Sequence, residues 1–500
     1  MTENILAIDA GSTNVHVLVV GSDGTVLGQA VAPYRLLFPR PGLVEQDGEE
    51  LWGTTVSAVQ KALTESGIRP TDLAAVGITG QRATTVLWER ATGRALGPVL
   101  NWQDQRGLAR ARELTENGFQ TNPIASATRL ESMIDAIPRG RARMSRHELA
   151  WGTVDSFLAW RLSGGGLHVT DCSHACTTGY YHFSSGGWNL RLIDYQGLEP
   201  SLFPTIVDTA GDMGFTDAGV LGAAIPISAM IGDQQSATFA QSCLIDGAAK
   251  VSYGTSATCN VQTGDRMVRD GVGSGIYPLV LWRLRGQVRY CLEGMVVTAG
   301  AIFTWLAREW GIIRNLEDAS TLAMSVSDSG GVHFLPAFQG IGAPHRRPER
   351  RGVITGLSSG TTRAQILRSA MEGISFRVRE ICERIYLKPA PLLDIPFPDR
   401  LRVDGGAAAS DVFMQIQADI LGIPVERMHP LEATAYGAAL LAGEGCGLWK
   451  PGESRGLRRM DRVFEPRWDS ATRDARFNAW RRATSPDREI SMDPTNPPGG

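Results

Sequence analysis

Ile5-Leu6-Ala7-Ile8-Asp9-Ala10-Gly11-Ser12-Thr13-Asn14 is the stretch that decides the fold, because it predicts a buried strand ending in a polar turn. Residues Val15 to Val20 predict a strand that runs back, so the pattern indicates a β-hairpin. Glycine in such a turn lets the backbone approach a ligand closely, and hydroxyls with free N–H groups can cradle phosphate oxygens. An ordinary polar hairpin turn without a ligand is the alternative.

The same design occurs again about half a chain later. Lys250-Val251-Ser252-Tyr253 leads into Gly254-Thr255-Ser256, and Ala257 to Gln262 returns as a strand. Internal duplication fixes an architecture, because each copy has to build the same local structure. The repeat therefore predicts two similar domains that face a nucleotide across a cleft.

Ile231-Gly232-Asp233-Gln234-Gln235 lies between an apolar run and a predicted helix. An acid freed by a glycine at the end of a buried strand suits a general base that takes a proton from a substrate hydroxyl. Asp is also a favoured helix N-cap, so capping is the alternative for Asp233. The remaining motifs of the chain favour the base.

Two further predicted strands end in polar residues that suit an acceptor site. Leu73 to Thr79 runs into Gly80-Gln81-Arg82-Ala83, and Val99 to Trp102 runs into Gln103-Asp104-Gln105-Arg106. In open α/β sheets, ligands bind at the carboxyl ends of strands. A surface ion pair is the alternative for Arg82, although its strand is otherwise apolar and is predicted to be interior.

Small residues mark a strand-to-helix turn in the second half. Leu401 to Asp404 leads into Gly405-Gly406-Ala407-Ala408-Ala409-Ser410, and Asp411 to Leu421 predicts a helix. Such a turn lets a flat ring or a phosphate lie against backbone N–H groups, and a tight turn without a ligand is the alternative. The other long helices are predicted at Gly48 to Ser66, Val297 to Trp310, Gln365 to Ile385 and Thr434 to Ala442.

Bulk composition indicates a soluble globular protein with two or more domains. The chain has 500 residues, 43% of them hydrophobic and 20% charged. A net charge of -3 predicts neither a nucleic-acid nor a membrane partner. No run approaches the roughly 20 apolar residues of a membrane span, and the first residues do not resemble a secretory signal. The seven scattered cysteines lack a C-x-x-C pair, which predicts reduced thiols and a cytoplasmic location.

Composition also changes near the end of the chain. After Trp449, Arg and Pro dominate, which predicts a disordered or loosely attached tail. The predicted division is therefore an N-terminal domain over 1–242, a C-terminal domain over 243–448 and a partly disordered tail over 449–500.

Taken together and in order, these motifs resemble the FGGY carbohydrate kinases, and most closely the glycerol kinases among them. The resemblance covers about Ile5 to Leu448. It is carried by Asp9-Ala-Gly-Ser-Thr13, Gly77-Ile-Thr-Gly-Gln-Arg82, Gly232-Asp-Gln-Gln235, Tyr253-Gly-Thr-Ser256, Gly352-Val-Ile-Thr-Gly-Leu357, Gln365-Ile-Leu-Arg-Ser-Ala-Met-Glu372 and Asp404-Gly-Gly406.

The resemblance implies an α/β fold of two actin-like (ribonuclease-H-like) domains, with ATP and Mg²⁺ in the cleft between them. It implies an ATP-dependent kinase for a hydroxyl of a small polyol or ketose, and homodimers are common in the family. Asp233 would be the catalytic base, and Asp9 and Asp233 would lie at the metal. The acceptor would contact Arg82, Ala83, Trp102, Ile124, Asp233 and Gln234. The nucleotide would contact Gly11, Ser12, Thr13, Asn14, Gly254, Thr255, Gly300, Thr304, Gly405, Gly406 and Ser410.

Several positions depart from the glycerol kinase pattern. Ala83 stands where a glutamate is usual and Ile124 where a tyrosine is usual, so two polar contacts to glycerol are absent. Each loss should cost roughly 1–3 kcal/mol and also enlarges the pocket, which favours a longer polyol or a ketose. Alternatively, Asp104 or His174 supplies substitute contacts and glycerol remains the substrate. Arg129 replaces a usual lysine, His16 a usual arginine and Thr304 a usual glutamine.

Two other classes stay open at this point. The first is a catalytically idle relative that binds nucleotide as a sensor or scaffold, and the intact Asp9, Thr13, Thr255 and Asp233 argue against it. The second is a non-kinase actin-like ATPase of the chaperone type, for which Arg82 would have no small acceptor to bind. A dinucleotide-dependent dehydrogenase is excluded, because no G-x-G-x-x-G follows the first strand.

Overall fold

The computed structural model describes residues 3–387 and 392–485, and two mixed sheets organise it. The N-terminal sheet has the strand order β5-β4-β1-β2-β3. The strands β1, β2 and β3 are antiparallel neighbours, whereas β1, β4 and β5 run parallel. Their bounds are β1 Asn4–Ala10, β2 Asn14–Val20, β3 Val26–Pro33, β4 Leu73–Gly80 and β5 Ile227–Gly232.

The C-terminal sheet repeats this arrangement and adds a strand at each edge. Its order is β8-β9-β7-β6-β10-β11-β12, in which the inner five strands match β3-β2-β1-β4-β5 in order and direction. The predicted duplication of a strand–turn–strand unit is therefore confirmed. The bounds are β6 Ala249–Tyr253, β7 Ala257–Gly264, β8 Ile276–Leu284, β9 Gln287–Val296, β10 Leu401–Asp404, β11 Val425–His429 and β12 Arg459–Phe464.

Helices cover both faces of the sheets. The predicted helix at 48–66 has the expected bounds, whereas the one predicted at 297–310 is shorter, because residues 297–300 form a bend and Gly300 is the N-cap of the helix. The longest helix begins after Thr362, whose side chain forms a capping box with Gln365. The main helices are α1 Gly48–Ser66, α2 Val154–Leu162, α3 Asp233–Ala240, α4 Ala301–Arg308, α5 Leu316–Met324, α6 Arg363–Tyr386, α7 Asp411–Leu421, α8 Ala433–Gly445 and α9 Ser470–Thr484.

Alternating side chains of β1 enter two different cores. Leu6 and Ile8 pack in the cluster that contains α1, and Ile5 and Ala7 pack in the cluster that contains α8. Helix α8 belongs to the second half of the chain but lies against the N-terminal sheet. A Cβ at Gly77 would come within 2.4 Å of the Ala438 carbonyl oxygen, so the glycine permits this close contact.

Shorter elements lie around both sheets, most of them in the N-terminal domain. The short helices are Leu108–Glu116, Leu130–Ala136, Gly140–Ser145, Cys172–Ala175, Leu190–Tyr195 and Ala218–Leu221. The short strands are Glu45–Gln46, Val86–Glu89, Val99–Leu100, Leu149–Gly152, Val169–Asp171, Tyr181–His182, Gly187–Trp188, Thr205–Val207, His333–Leu335 and Val353–Thr355. Within the described ranges, no helix combines the length and the apolar character needed to cross a membrane.

The prediction of a loosely attached tail is wrong as far as Ser485. Strand β12 pairs antiparallel with β11, and α9 buries Phe477 and Trp480 against the C-terminal core. Arginines of this segment pack on its aromatic rings, as the Arg476 guanidinium does 4.5 Å from the ring centre of Trp468. Residues 486–500, for which disorder is also predicted, lie outside the described residues.

Candidate active site

The first hairpin turn is held from behind by a buried polar network. The Gly11 N–H donates to the Asn14 carbonyl at 3.0 Å, and the Tyr34 hydroxyl donates to the Gly11 carbonyl. Gln46 Nε2 donates to the Ser12 carbonyl at 2.7 Å. The turn is therefore rigid while Thr13 is exposed, as a preformed phosphate cradle requires.

Asp9 lies next to this turn and close to Asp233. Its Oδ1 atom is enclosed and has no hydrogen-bond partner. Burial, reinforced by the negative charge of Asp233, raises the pKa of Asp9 from 3.8 to about 8. Two neighbouring carboxylates, one of them with an unsatisfied oxygen, are an arrangement that a cation stabilises.

Asp233 is the first residue of α3, and the N-cap position belongs to Gly232. Its Oδ1 accepts hydrogen bonds from Arg82 Nε at 2.9 Å and from the Gln234 N–H at 2.7 Å. Ser173 Oγ accepts the Gly232 N–H at 2.8 Å and so fixes the preceding backbone. The helix-cap alternative therefore does not describe Asp233, whose Oδ2 accepts no hydrogen bond from a described residue.

Arg82 joins the two domains at this point. Besides Asp233 it contacts Glu293 of β9, with Nη1 to Oε2 at 2.9 Å, and Asn260 holds the same Oε2 at 2.8 Å. Burial opposes the charge, but the carboxylates of Glu293 and Asp233 more than compensate and raise the pKa of Arg82. Arg82 is thus a partly buried ion-pair residue that stays cationic, and Glu293 is a site residue that the sequence reasoning missed.

Lys250 is a second missed residue, although a lysine within an apolar strand was a usable signal. Its fully buried ammonium donates to Gln234 Oε1 at 2.7 Å and to Ser252 Oγ at 2.6 Å. Ser252 in turn donates to Asp404, which immediately precedes the Gly405-Gly406 turn. This chain of hydrogen bonds connects helix α3 to the predicted nucleotide turn.

Trp102 connects the predicted acceptor residues to the first hairpin turn, because its Nε1 donates to Ser12 Oγ at 2.9 Å. Ala83 and Ile124 lie together, since Arg129 Nη2 donates to both carbonyls, at 2.8 and 2.5 Å. Arg129 Nη1 also holds the Asn101 carbonyl at 2.6 Å. One buried guanidinium thereby fixes the three loops that carry the predicted acceptor residues.

The second hairpin turn leaves Gly254 and Thr255 exposed. The Gly300 N–H donates to the Gly254 carbonyl at 3.0 Å, and a Cβ at Gly300 would approach that oxygen to 2.4 Å, so glycine is required there. Thr304 lies on the exposed side of α4.

The βα turn after β10 supplies the rest of the predicted nucleotide site. Gly405 has a φ of 86°, and its neighbour Gly406 is exposed. Ser410 is buried as the N-cap of α7, and its hydroxyl contacts Ser320 Oγ at 2.7 Å.

Two duplicated domains, a phosphate-type turn in each, and a carboxylate held by an arginine between them define a phosphotransferase of the actin-like class. The model of the N-terminal domain of the FGGY family of carbohydrate kinases matches residues 4–240, and that of the C-terminal domain matches residues 249–445. The chain belongs to this family.

Similar proteins agree with this assignment. A glycerol kinase of Aromatoleum aromaticum is 43% identical over 491 residues, covering 96% of this chain and 97% of that protein. A glycerol kinase of Thermus brockianus is 40% identical over 489 residues, with 96% and 97% covered. The crystal structure of Plasmodium falciparum glycerol kinase with ADP matches with a TM-score of 0.86 at 27% identity, covering 96% and 97% of the two chains. A ligand-bound xylulose kinase of Lactobacillus acidophilus shares the fold, with a TM-score of 0.81 at 19% identity, and covers 96% and 98%.

The protein is accordingly an ATP-dependent carbohydrate kinase, as the motifs predicted. The idle sensor or scaffold and the chaperone-type ATPase are not favoured.

Proposed function

We propose that this kinase phosphorylates a polyol or ketose longer than glycerol, with Asp233 as the general base. The observation that carries the mechanism is the Asp233 carboxylate, which Arg82 orients from one side while its second oxygen stays available. That oxygen takes the proton of the acceptor hydroxyl, the hydroxyl oxygen bonds to the γ-phosphorus, and the bond to the ADP oxygen breaks. Arg82 remains cationic throughout, because its charge is balanced by two carboxylates.

The two hairpin turns hold the transferring phosphoryl group between the domains. Backbone N–H groups and hydroxyls of Ser12, Thr13 and Thr255 are the donors for its oxygens, and Gly405 and Gly406 admit the nucleotide near the backbone. The hydrogen bonds through Lys250 and Ser252 fix the position of helix α3, which carries the base, relative to the nucleotide turn. Positioning of this kind contributes most of the catalysis in phosphoryl transfer.

Asp9 and Asp233 fit a Mg²⁺ ion held together with the nucleotide phosphates. No group of three or more His, Cys, Asp or Glu side chains able to hold a metal occurs in residues 3–387 and 392–485. Mg²⁺ in kinases typically takes one or two carboxylates and completes its shell with water and phosphate, so the pair suffices. When bound, the ion would neutralise phosphate charge, and the enclosed Oδ1 of Asp9 would gain a partner.

Replacing Asp9 with asparagine tests its role as an electrostatic anchor. We expect kcat to fall by about 10²–10³-fold, because one charge is lost from the reaction centre. Folding should not suffer. In the wild type without metal or nucleotide, the folded state retains a proton that the unfolded state releases, so stability falls as pH rises from 3.8 to about 8. The stability of the variant should not fall in this way between pH 5 and pH 8, and denaturant titrations at these two pH values measure it. A variant that is less stable than wild type at pH 8 would contradict the raised pKa of Asp9.

The acceptor proposal rests on Ala83 and Ile124, which offer no side-chain hydrogen bond where the resemblance places polar residues. Neither Asp104 nor His174, the two possible substitutes, exposes its side chain to a ligand. Asp104 is fully buried between Arg106 Nε at 2.8 Å and the Val44 N–H at 2.8 Å. His174 is fully buried beside Asp155. Glycerol itself remains the second candidate, because the relatives at 37–43% identity are named glycerol kinases.

An Ile124→Tyr variant tests the acceptor proposal, since Ile124 is 40% exposed and its site has room for the ring. A restored hydrogen bond should add about 1–3 kcal/mol, so kcat/KM for glycerol should rise roughly 5- to 150-fold. Wild type and variant are assayed for ADP release with glycerol, tetritols, pentitols and three- to six-carbon ketoses. An Ile245→Tyr variant at an exposed site is the control. Wild-type turnover that is best with glycerol would refute the proposal.

We also propose a cytoplasmic enzyme without a nucleic-acid partner that forms a homodimer. All seven cysteines are unpaired, as suits a reducing compartment. We further propose domains over 1–242 and 243–448, with 449–485 added to the second because strand β12 and helix α9 pack on the C-terminal sheet and core. Light scattering of the purified chain tests the dimer.

A further inference from the structure

A cavity of about 300 Å³ lies in the C-terminal domain and shares no residue with the active site described above. It is bounded by the loop that carries Ile341 and Arg347, by helix α6 and by the end of helix α9. Four arginines line it, namely Arg347, Arg350, Arg377 and Arg481. A single carboxylate, that of Glu380, faces them.

The carboxylate of Glu380 already contacts two neighbouring side chains. It pairs with Arg377, which is 2% exposed, and its Oε1 contacts His345 Nε2 at 3.1 Å. Arg347, Arg350 and Arg481 form no ion pair with any residue in the described part of the chain. The lining therefore carries about three uncompensated positive charges.

These arginines also have unused hydrogen-bond donors. Arg350 Nη2 donates to the Thr484 carbonyl at 3.1 Å, but its Nε is enclosed and has no partner. The Arg347 side chain makes no hydrogen bond with a described residue, and Arg481 lies over the ring of Phe477 at 5.5 Å. An enclosed donor without an acceptor costs free energy that an anionic ligand would recover.

The local field is positive, as His345 shows. Burial, reinforced by the charges of Arg377, Arg481 and Arg347, lowers the pKa of His345 to about 4. The positive charges of three of the arginines thus disfavour protonation of His345, which is neutral at neutral pH.

We propose that this cavity binds a small organic phosphate ester. Guanidinium groups recognise phosphate oxygens through paired N–H donors and remain charged at all physiological pH values. Leu335, Ile341 and Trp480 give the cavity an apolar wall that suits the carbon part of such a ligand. The volume is at the lower end of the range for small-molecule sites, which fits a compact ester rather than a nucleotide.

The test is isothermal titration of the full-length protein with phenyl phosphate and with inorganic phosphate, in the presence of a saturating non-hydrolysable ATP analogue that occupies the catalytic site. We expect phenyl phosphate to bind more tightly than inorganic phosphate. In an Arg347→Gln/Arg350→Gln variant, its affinity should fall at least tenfold. Equal or tighter binding of inorganic phosphate would overturn the assignment of an organic ligand, and no binding to wild type would overturn the site.

A matched control removes the same charge outside the cavity. In an Arg346→Gln/Arg351→Gln variant, both altered residues are exposed and neither lines the cavity, so affinity should stay within twofold. An equal loss in this control would mean that net charge, not the cavity, binds the anion. The chain's own segment after Ser485 carries Asp487, Glu489 and Asp493 and is the competing occupant. Binding that occurs only after removal of residues 486–500 would overturn the proposal in favour of that segment.

Discussion

Replacing Asp233 with asparagine is expected to lower kcat by about 10²–10⁴-fold while leaving the affinity for ADP without Mg²⁺ unchanged. The amide keeps the size of the carboxylate and its oxygen can still accept from Arg82 Nε, so the local geometry survives. What is lost is the ability to take the proton from the acceptor hydroxyl. Arg82 also retains Glu293 as a charge partner, and the substitution therefore leaves no unpaired buried cation.

The measurement is steady-state turnover with the best acceptor of the panel, together with titration of ADP. An Asp208→Asn variant serves as control, because it too removes one carboxylate from an ion pair with an arginine, Arg283, outside the active site. Its kcat should stay within twofold of wild type. A fall of less than tenfold for Asp233→Asn would show that another group, or water, accepts the proton.

Local patterns were sufficient to predict the two-domain architecture. A strand, a turn of glycine and hydroxyls, and a returning strand occur at Ile5–Val20 and again at 250–262, and both hairpins are central strand pairs of their sheets. The signal is strong because the turns need specific residue types and the strands are buried on both faces. The same reasoning placed Asp233 at the end of a buried strand, where the structure also has it.

Residues whose role depends on distant pairing could not be predicted in this way. Glu293 meets Arg82 across 211 positions of sequence, and nothing within β9 marks it as a site residue. Lys250 is similar, since its role depends on hydrogen bonds to residues of other elements, directly to Gln234 and through Ser252 to Asp404. Such contacts follow from how the two sheets face each other, which short-range periodicity does not encode.

The tail was mispredicted for a different reason. Strand β12 is an edge strand whose first four residues are exposed, so it lacks the apolar alternation that identifies a strand. Helix α9 carries only a narrow apolar stripe, with Phe477 and Trp480 three residues apart among arginines. Composition averaged over such a segment resembles a disordered one, although two aromatic anchors are enough to dock it.

Replacing Trp480 with alanine is accordingly expected to destabilise the C-terminal domain by about 3–5 kcal/mol. The indole is 2% exposed, stacks on Phe376 at 5.3 Å and donates from Nε1 to the Phe334 carbonyl at 2.9 Å. Its loss leaves a cavity and an unpaired buried carbonyl, and both effects act in the same direction. A segment that was only loosely attached would give almost no change.

The free energy of unfolding is measured by denaturant titration with fluorescence and circular dichroism, since two domains can unfold in separate transitions. Trp310→Ala is the matched control, because the same residue type is 46% exposed there and its ring lies 4.9 Å from that of Trp305. It should cost less than about 1.5 kcal/mol. If Trp480→Ala costs no more than Trp310→Ala, helix α9 does not contribute to the core, and the domain ends near Leu448 as the composition first indicated. If the difference is as large as expected, the folded C-terminal domain extends through Thr484, and variants truncated near 448 should unfold.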